Sequence, residues 1–194
     1  MFGEYNHYIV WMPTFRVTKK FQDGIDSELG LSFVTVDNIS RLNDCLRDRN
    51  ILLILKLHPW SAQKVDSISY SNIVNLHQSE IPVNITLYQL LSETDALITD
   101  YSSVYIDYTL IDKPIAFVYD DIDEYRRTRG FSFEPVEQYM PGEHIRDFNS
   151  LLEWVEHFED DKFKEMRREL ANMFHVYHDA NSTERVLKEI NIIE

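Results

Sequence analysis

Ile51-Leu52-Leu53-Ile54-Leu55 is a run of five apolar residues without polar alternation, which indicates a strand that is covered on both faces. Five short segments rich in β-branched or aromatic residues are predicted to be strands, at 8–12, 51–57, 73–76, 96–99 and 114–119. Helical patterns alternate with them and then follow them, at 37–49, 86–93, 103–111, 151–158, 162–174 and 183–193. This alternation predicts an α/β fold, a Rossmann-like parallel sheet with helices on both faces.

Length and composition predict one domain over 1–194, with the helices of 150–194 at its C-terminal end, because 194 residues with 44% hydrophobic content bury one ordinary core. No apolar run approaches the length of a transmembrane helix, and no secretory signal opens the sequence, so we expect a cytoplasmic protein. Cys45, the one cysteine, lies on an amphipathic helical pattern and is expected to pack there. The segment 17–35 is predicted to be a surface loop.

The formal net charge of −14 argues against general nucleic-acid binding, which needs a broad basic surface. A single nucleotide is still compatible with an acidic chain, because charges farther away than about 10 Å are largely screened at physiological salt. The histidines and carboxylates show no metal-binding spacing, so we expect neither a metal nor a cofactor.

The candidate ligand-binding residues follow the predicted strands directly. Ligands of doubly wound sheets bind beyond the carboxyl ends of the strands, so these positions are where a site is expected. Lys56 and His58 lie at the end of the most buried strand, and Pro59 restricts the histidine to an extended conformation. His58 would donate to a phosphate or carry a proton; a histidine hydrogen-bonded to backbone at a strand end is the structural alternative.

A second group, Thr99-Asp100-Tyr101-Ser102-Ser103, joins a predicted strand to a predicted helix. Free backbone N–H groups and two hydroxyls would converge there on an anion, although serine and aspartate also cap helices without any ligand. Arg16 follows the first strand, and Arg129 precedes Gly130, which permits close approach of the backbone to a ligand. Arginine suits phosphate, but ion pairs with nearby carboxylates are the ordinary alternative for the run Arg126-Arg127.

Taken together, these blocks resemble the CDP-glycerol:poly(glycerophosphate) glycerophosphotransferase family. The ordered set from about residue 8 to residue 142 carries the resemblance: Pro13-Thr14-Phe15-Arg16, Lys56-Leu57-His58-Pro59, Asp95 to Val104, Lys113-Pro114, Tyr119-Asp120, Tyr125, Arg129-Gly130-Phe131 and Pro141-Gly142. The family's fold is the two-lobed GT-B arrangement, which implies that this chain is the C-terminal, donor-binding lobe.

The resemblance implies transfer of glycerol phosphate from CDP-glycerol to a hydroxyl of a teichoic-acid-like polymer or its primer, with His58 as the catalytic residue. Arg16, Lys56, Asp100, Ser102, Ser103, Arg129 and Gly130 would bind the donor and its phosphates. The expected partners are CDP-glycerol, a polymer acceptor and an acceptor-binding N-terminal lobe. That lobe is missing from this sequence, so contact with the inner face of the cell membrane would come through segments outside it.

Two other functions fit the same residues. A GT-B glycosyltransferase that uses a sugar nucleotide would have similar phosphate-binding elements, and a carboxylate such as Asp107 pointing into the cleft would favour it. A nucleotide-binding module without catalysis is the other alternative.

Overall fold

The computed structural model describes residues 4–14, 29–57, 65, 69–82 and 85–193, and it shows one six-stranded sheet. Arg16 and His58 therefore lie outside the described residues. The strands are β1 (His7–Met12), β2 (Ile51–Leu55), β3 (Ile73–Asn75), β4 (Ala96–Thr99), β5 (Ile115–Val118) and β6 (Glu143–Ile145). Their order across the sheet is β3-β2-β1-β4-β5-β6, and every neighbouring pair is parallel. The predicted Rossmann-like α/β fold is confirmed.

Seven α-helices flank the sheet in the described part of the chain. They are α1 (Ile39–Asp48), α2 (Leu87–Ser92), α3 (Val104–Tyr108), α4 (Ile122–Thr128), α5 (Phe148–His157), α6 (Lys164–Phe174) and α7 (Ser182–Glu189). Single turns of 3-10 helix occupy Gln78–Glu80, Thr109–Ile111 and Val136–Tyr139.

Two apolar layers, one on each face of the sheet, form the core. On one face α1 and α5 pack through residues such as Leu46 and Val155. On the other face α2, α3 and α4 contribute Leu91, Tyr108 and Ile122. Strand β2 is buried at all of its positions, as its unbroken apolar sequence predicted.

Three local features differ from the sequence prediction. Strand β6 and helix α4 were not predicted, because Glu143-His144-Ile145 is short and polar and α4 is rich in charged residues. The segment predicted as a surface loop is instead buried over its described part, where Leu29, Leu31 and Val34 pack into the core. The prediction of exposure there was wrong because it weighed the polar residues and glycines of 17–35 over its apolar ones.

Arg167 of α6 fixes the C-terminal helices to the sheet domain. Its side chain is fully buried, its Nε donates to Asp112 Oδ1 at 3.1 Å, and its guanidinium also pairs with Asp161. Arg168 adds a bond to the second carboxylate oxygen of Asp112 at 2.7 Å. These contacts tie α6 to the turn that precedes β5, far from the carboxyl ends of the strands.

Cys45 packs as expected, half-buried against the core beside α5. Burial raises the pKa of its thiol to about 11, so the thiol stays protonated at neutral pH. Across the described ranges, no helix has both the length and the apolar character needed to cross a membrane.

Candidate functional site

The strand order reverses between β1 and β4, which are neighbours in the sheet although they are far apart in sequence. The connection from β1 leads to one side of this point and the connection from β4 leads to the other. The carboxyl edge of the sheet between these two connections is where doubly wound folds form the crevice that binds ligands. The described residues that follow β1, β2 and β4 border this crevice.

Asp100, the first residue after β4, joins the two sides of the crevice. Its side chain is only 3% exposed, and its Oδ2 accepts the backbone N–H of Thr14 at 2.9 Å. The Thr14 hydroxyl donates to Oδ1 of the same carboxylate. One residue earlier, the Thr99 hydroxyl donates to the carbonyl of Met12 at 2.8 Å. Asp100 is thus placed to hold the β1 and β4 loops together, and its negative charge makes it a poor direct ligand for phosphate.

Ser102 and Ser103 lie at the rim beyond Asp100. Ser102 is half-buried, and its Oγ accepts the backbone N–H of Val104 at a long 3.5 Å. Ser103 is exposed, precedes α3, and its side chain does not cap that helix. The structural alternative of a capping serine therefore applies weakly to Ser102 and not to Ser103. Both hydroxyls are accessible to a ligand in the crevice.

Lys56 brings a positive charge to the same edge from the end of β2. Its backbone N–H donates to the carbonyl of Trp11, which fixes it beside β1. Among the described residues its ammonium group has no carboxylate partner. Burial lowers the pKa of Lys56, which means that the charged form is short of stabilising contacts and would gain from a nearby anion.

Arg129 and Gly130 end helix α4. The Arg129 guanidinium is exposed, lies 6.0 Å from the Tyr125 ring centre, and pairs with no carboxylate in the described part of the chain. By contrast, Arg126 contacts Asp123, Glu134 and Glu137, and Arg127 contacts Glu124, as the ion-pair alternative predicted. Gly130 has a φ of 71° and its N–H bonds back to Tyr125, so helix termination already explains this glycine.

The structure adds an aromatic group that the sequence prediction did not assign to the site. Tyr101, Tyr119, Tyr125 and Phe131 contact one another with ring centres 4.5 to 6.2 Å apart. This aromatic cluster lies beside Ser102 and Ser103 and extends to His144 and Arg146 on β6 and just after it. The sequence carries a signal for Tyr119, Tyr125 and Phe131, because they belong to the motif blocks that carry the family resemblance. It carries no such signal for Arg146, because β6 was not predicted.

Two cavities lie away from this edge. One of about 390 Å³ is lined by Pro114, Glu153 and Trp154, near the start of β5, and one of about 550 Å³ lies between the sheet and α2, beside Ile54 and Leu90. Neither is lined by Lys56 or the Asp100 to Ser103 loop.

The fold is a doubly wound α/β domain whose carboxyl edge carries Lys56, Ser102 and Ser103, side chains of the types that bind phosphate. The family model of CDP-glycerol:poly(glycerophosphate) glycerophosphotransferases matches residues 3–191. The chain belongs to this family.

Among curated relatives, it is 30% identical to the teichoic acid ribitol-phosphate primase of Bacillus spizizenii, over 92% of this chain and 42% of that protein. It is 31% identical to the teichoic acid glycerol-phosphate primase of Bacillus subtilis, over 94% of this chain and again 42% of the relative. The chain thus spans less than half the length of these relatives.

Among solved structures, that of the wall teichoic acid polymerase TagF superposes with a TM-score of 0.70 at 23% identity, covering 97% of this chain and 44% of TagF. This likeness shows a shared fold, that of one Rossmann-like half of a GT-B transferase.

Proposed function

We propose that this chain is the donor-binding half of a transferase that moves glycerol phosphate from CDP-glycerol to a hydroxyl of a teichoic acid or its primer. The observation that carries the proposal is the placement of Lys56, Ser102 and Ser103 directly after strands that flank the strand-order reversal, in a chain that belongs to this family. A structure of a TagF variant soaked with CDPG supports a cytidine nucleotide as the donor.

Charge favours a diphosphate at this edge. The chain carries a net charge of −14, yet Lys56 and Arg129 have no carboxylate partner among the described residues. Most arginines elsewhere in the described chain are paired with carboxylates, so cations without such a partner at this edge of the sheet leave charge for an external anion. Arg16 and His58, outside the described residues, stay predicted members of the same set.

The hydroxyls of Ser102 and Ser103 would donate to the phosphate oxygens. Asp100 would not contact the phosphates and would instead hold the loops that carry the site. By accepting two hydrogen bonds from Thr14, Asp100 keeps the β1 and β4 loops at a fixed separation. Phosphoryl transfer depends mostly on such positioning and on charge neutralisation. We therefore assign Asp100 as a positioning residue and the two serines as ligands of the donor.

In the proposed reaction, the acceptor hydroxyl attacks the β-phosphorus in line with the bond to the bridging oxygen. That bond breaks, CMP departs with the bridging oxygen, and the hydroxyl proton passes to a base. The product is a phosphodiester between glycerol and the acceptor. Cationic side chains would neutralise the leaving CMP, and His58 would bind or protonate the leaving phosphate.

Ribitol phosphate is the second candidate for the transferred group, because a ribitol-phosphate primase is as similar to this chain in sequence as the glycerol-phosphate primase is. The sugar-nucleotide alternative has less support. Asp107, the carboxylate that would favour it, accepts a hydrogen bond from Tyr88 of α2 at 3.1 Å, on the helical layer that covers one face of the sheet.

Calorimetric titration of the purified chain with CDP-glycerol, CDP-ribitol and UDP-glucose tests the proposal. We expect CDP-glycerol to bind most tightly, and Ser103→Ala and Lys56→Ala to weaken it by about tenfold each, the loss of one charge-assisted hydrogen bond. Thr183→Ala, a hydroxyl on α7, is the matched control for Ser103 and should change nothing. Equal affinity for UDP-glucose, or no nucleotide binding at all, would contradict the proposed donor.

A further inference from the structure

Three side chains form a stack at the carboxyl ends of β5 and β6. The His144 ring lies face to face with Tyr119, with ring centres 4.3 Å apart and planes inclined by 7°. The Arg146 guanidinium lies 5.1 Å from the centre of the same Tyr119 ring. Tyr119 is only 4% exposed whereas Arg146 is exposed, so a buried aromatic base supports an accessible cation. Contact with the ring restrains the guanidinium without neutralising its charge.

Arg146 has no carboxylate within ion-pair distance in the described part of the chain. Nearby Arg126 shows that carboxylates are available in this region, since it contacts Glu134 and Glu137 at 3.2 and 2.8 Å. Arginine at a structural position is normally satisfied by such partners. With respect to the described residues, the donors of Arg146 are therefore available to a ligand with acceptor groups.

The stack is continuous with the crevice. Tyr119 touches Tyr101 edge to face, with ring centres 6.2 Å apart, and Tyr101 directly precedes Ser102. Strands β4, β5 and β6 are neighbours, so the ends of β4 and β6 are about 10 Å apart at ordinary strand spacing. A nucleotide with its phosphates at Ser102 and its long axis along the edge would bring its base toward Arg146.

We propose that Arg146, held in place by the Tyr119 ring that stacks on His144, binds the base of the donor nucleotide and selects cytosine over uracil. This inference rests on the proposed function and adds the residue that reads the base. Cytosine presents N3 and O2 as adjacent acceptors, and the guanidinium presents paired donors and no acceptor. Uracil carries a hydrogen on N3, which would face an arginine donor and lose one of the two bonds.

The competing role for Arg146 is a phosphate contact, and the two roles differ in one measurable quantity. A phosphate contact would weaken CDP and UDP equally when it is removed. A base contact would weaken CDP more than UDP and would bring the two affinities together. The ratio of the two dissociation constants therefore separates the roles, whatever the absolute affinity.

The experiment is calorimetric titration of CDP and UDP into the full chain and into Arg146→Ala, Arg146→Lys and Arg127→Ala. We expect the unchanged protein to prefer CDP, and Arg146→Ala to lower CDP affinity about tenfold with little effect on UDP. Arg146→Lys should keep the charge but lose the selectivity, because an ammonium group lacks the paired donors. Arg127→Ala removes an exposed arginine paired with Glu124 and should leave both affinities unchanged.

Equal losses for CDP and UDP in Arg146→Ala, or an unchanged ratio, would overturn the inference while leaving the proposed function intact. Failure of the unchanged protein to bind either nucleotide would overturn both. Circular dichroism and thermal unfolding of each variant exclude misfolding as the cause, and Tyr119→Phe, which keeps the supporting ring, should retain the preference for CDP.

Discussion

Arg167 and Arg146 occupy opposite situations in one fold. Arg167 is fully buried on α6 and is satisfied by Asp112 and Asp161, near the amino end of β5. Arg146 is exposed at the carboxyl end of β6 and has an aromatic ring but no carboxylate beside it among the described residues. Arg167 is satisfied by carboxylates of the protein, whereas Arg146 is held in position by a ring and donates to no carboxylate in the part of the chain that the structure describes. The first arrangement stabilises a fold, and the second suits a ligand.

The largest effect that this comparison predicts is on stability. Arg167→Ala would leave the carboxylates of Asp112 and Asp161 facing an empty buried site, and breaking a buried pair in this way costs about 3 kcal/mol or more. The free energy of unfolding, measured in urea, should fall by this amount. Nucleotide affinity, measured under native conditions, should remain unchanged.

Arg168→Ala is the matched control, because Arg168 contacts the same Asp112 from a side chain that is 51% exposed. The free energy of unfolding should fall much less in Arg168→Ala than in Arg167→Ala, since water screens an exposed pair. Similar losses for the two variants would contradict the structural role assigned to Arg167.

A second stability effect should come from Gly142, in the Pro141-Gly142 pair. A Cβ at this position would overlap the carbonyl oxygen of Ile115 and approach its carbonyl carbon to 2.8 Å, at the beginning of β5. Because both obstructing atoms belong to the backbone, Gly142→Ala should lower the free energy of unfolding by about 2 kcal/mol.

Gly130, at the carboxyl edge of the sheet, differs from Gly142 in the reason for the glycine. Gly130 has space for a Cβ but a positive φ of 71°, so backbone strain alone should cost about 1 kcal/mol. Both variants are compared by the free energy of unfolding in urea. A larger loss for Gly130→Ala than for Gly142→Ala would contradict the view that close packing requires a glycine at position 142.

The sheet could be predicted from sequence because its signal is local. Strands β2 and β4 are apolar at nearly every position, and the helices between them have clear apolar faces. Strand β6 could not be predicted from sequence, because its three residues, which include Glu143 and His144, resemble a loop. They form a strand only by pairing with β5. Arg146 was missed as a consequence, since its position at the ligand edge depends on β6.

The placement of the candidate site residues was predictable in part, and their role in binding the donor stays a prediction. Lys56, Ser102 and Ser103 reach the crevice edge because they directly follow strands whose carboxyl ends must meet. The role of Asp100 was not predictable, because it depends on Thr14, which is 86 residues earlier in the chain. The explanation of Gly142 likewise depends on Ile115, a contact that no local pattern encodes.

The smallest predicted effect concerns His144, the residue beneath the Tyr119 ring. Burial lowers the pKa of His144, with a further lowering by Arg146, against the raising effects of the Met140 backbone and of Glu143 and Glu137. The folded protein therefore holds this imidazole neutral at a pH where the unfolded chain, with a histidine pKa of about 6.5, has begun to bind a proton. Because the unfolded state then binds more protons, the stability contributed by His144 is present above about pH 6.5 and is lost progressively as the pH falls below it.

Urea unfolding of the unchanged protein and of His144→Phe, at intervals between about pH 5 and about pH 8, tests this dependence. The variant keeps an aromatic ring in the stack, and its free energy of unfolding should depend less on pH. The carboxylates of Asp112 and Asp147, whose pKa values are lowered, titrate below this range and do not obscure it. Identical pH profiles for the two proteins would mean that His144 is as well solvated as a histidine of the unfolded chain, and the stack beneath Arg146 would then be looser than its ring spacing indicates.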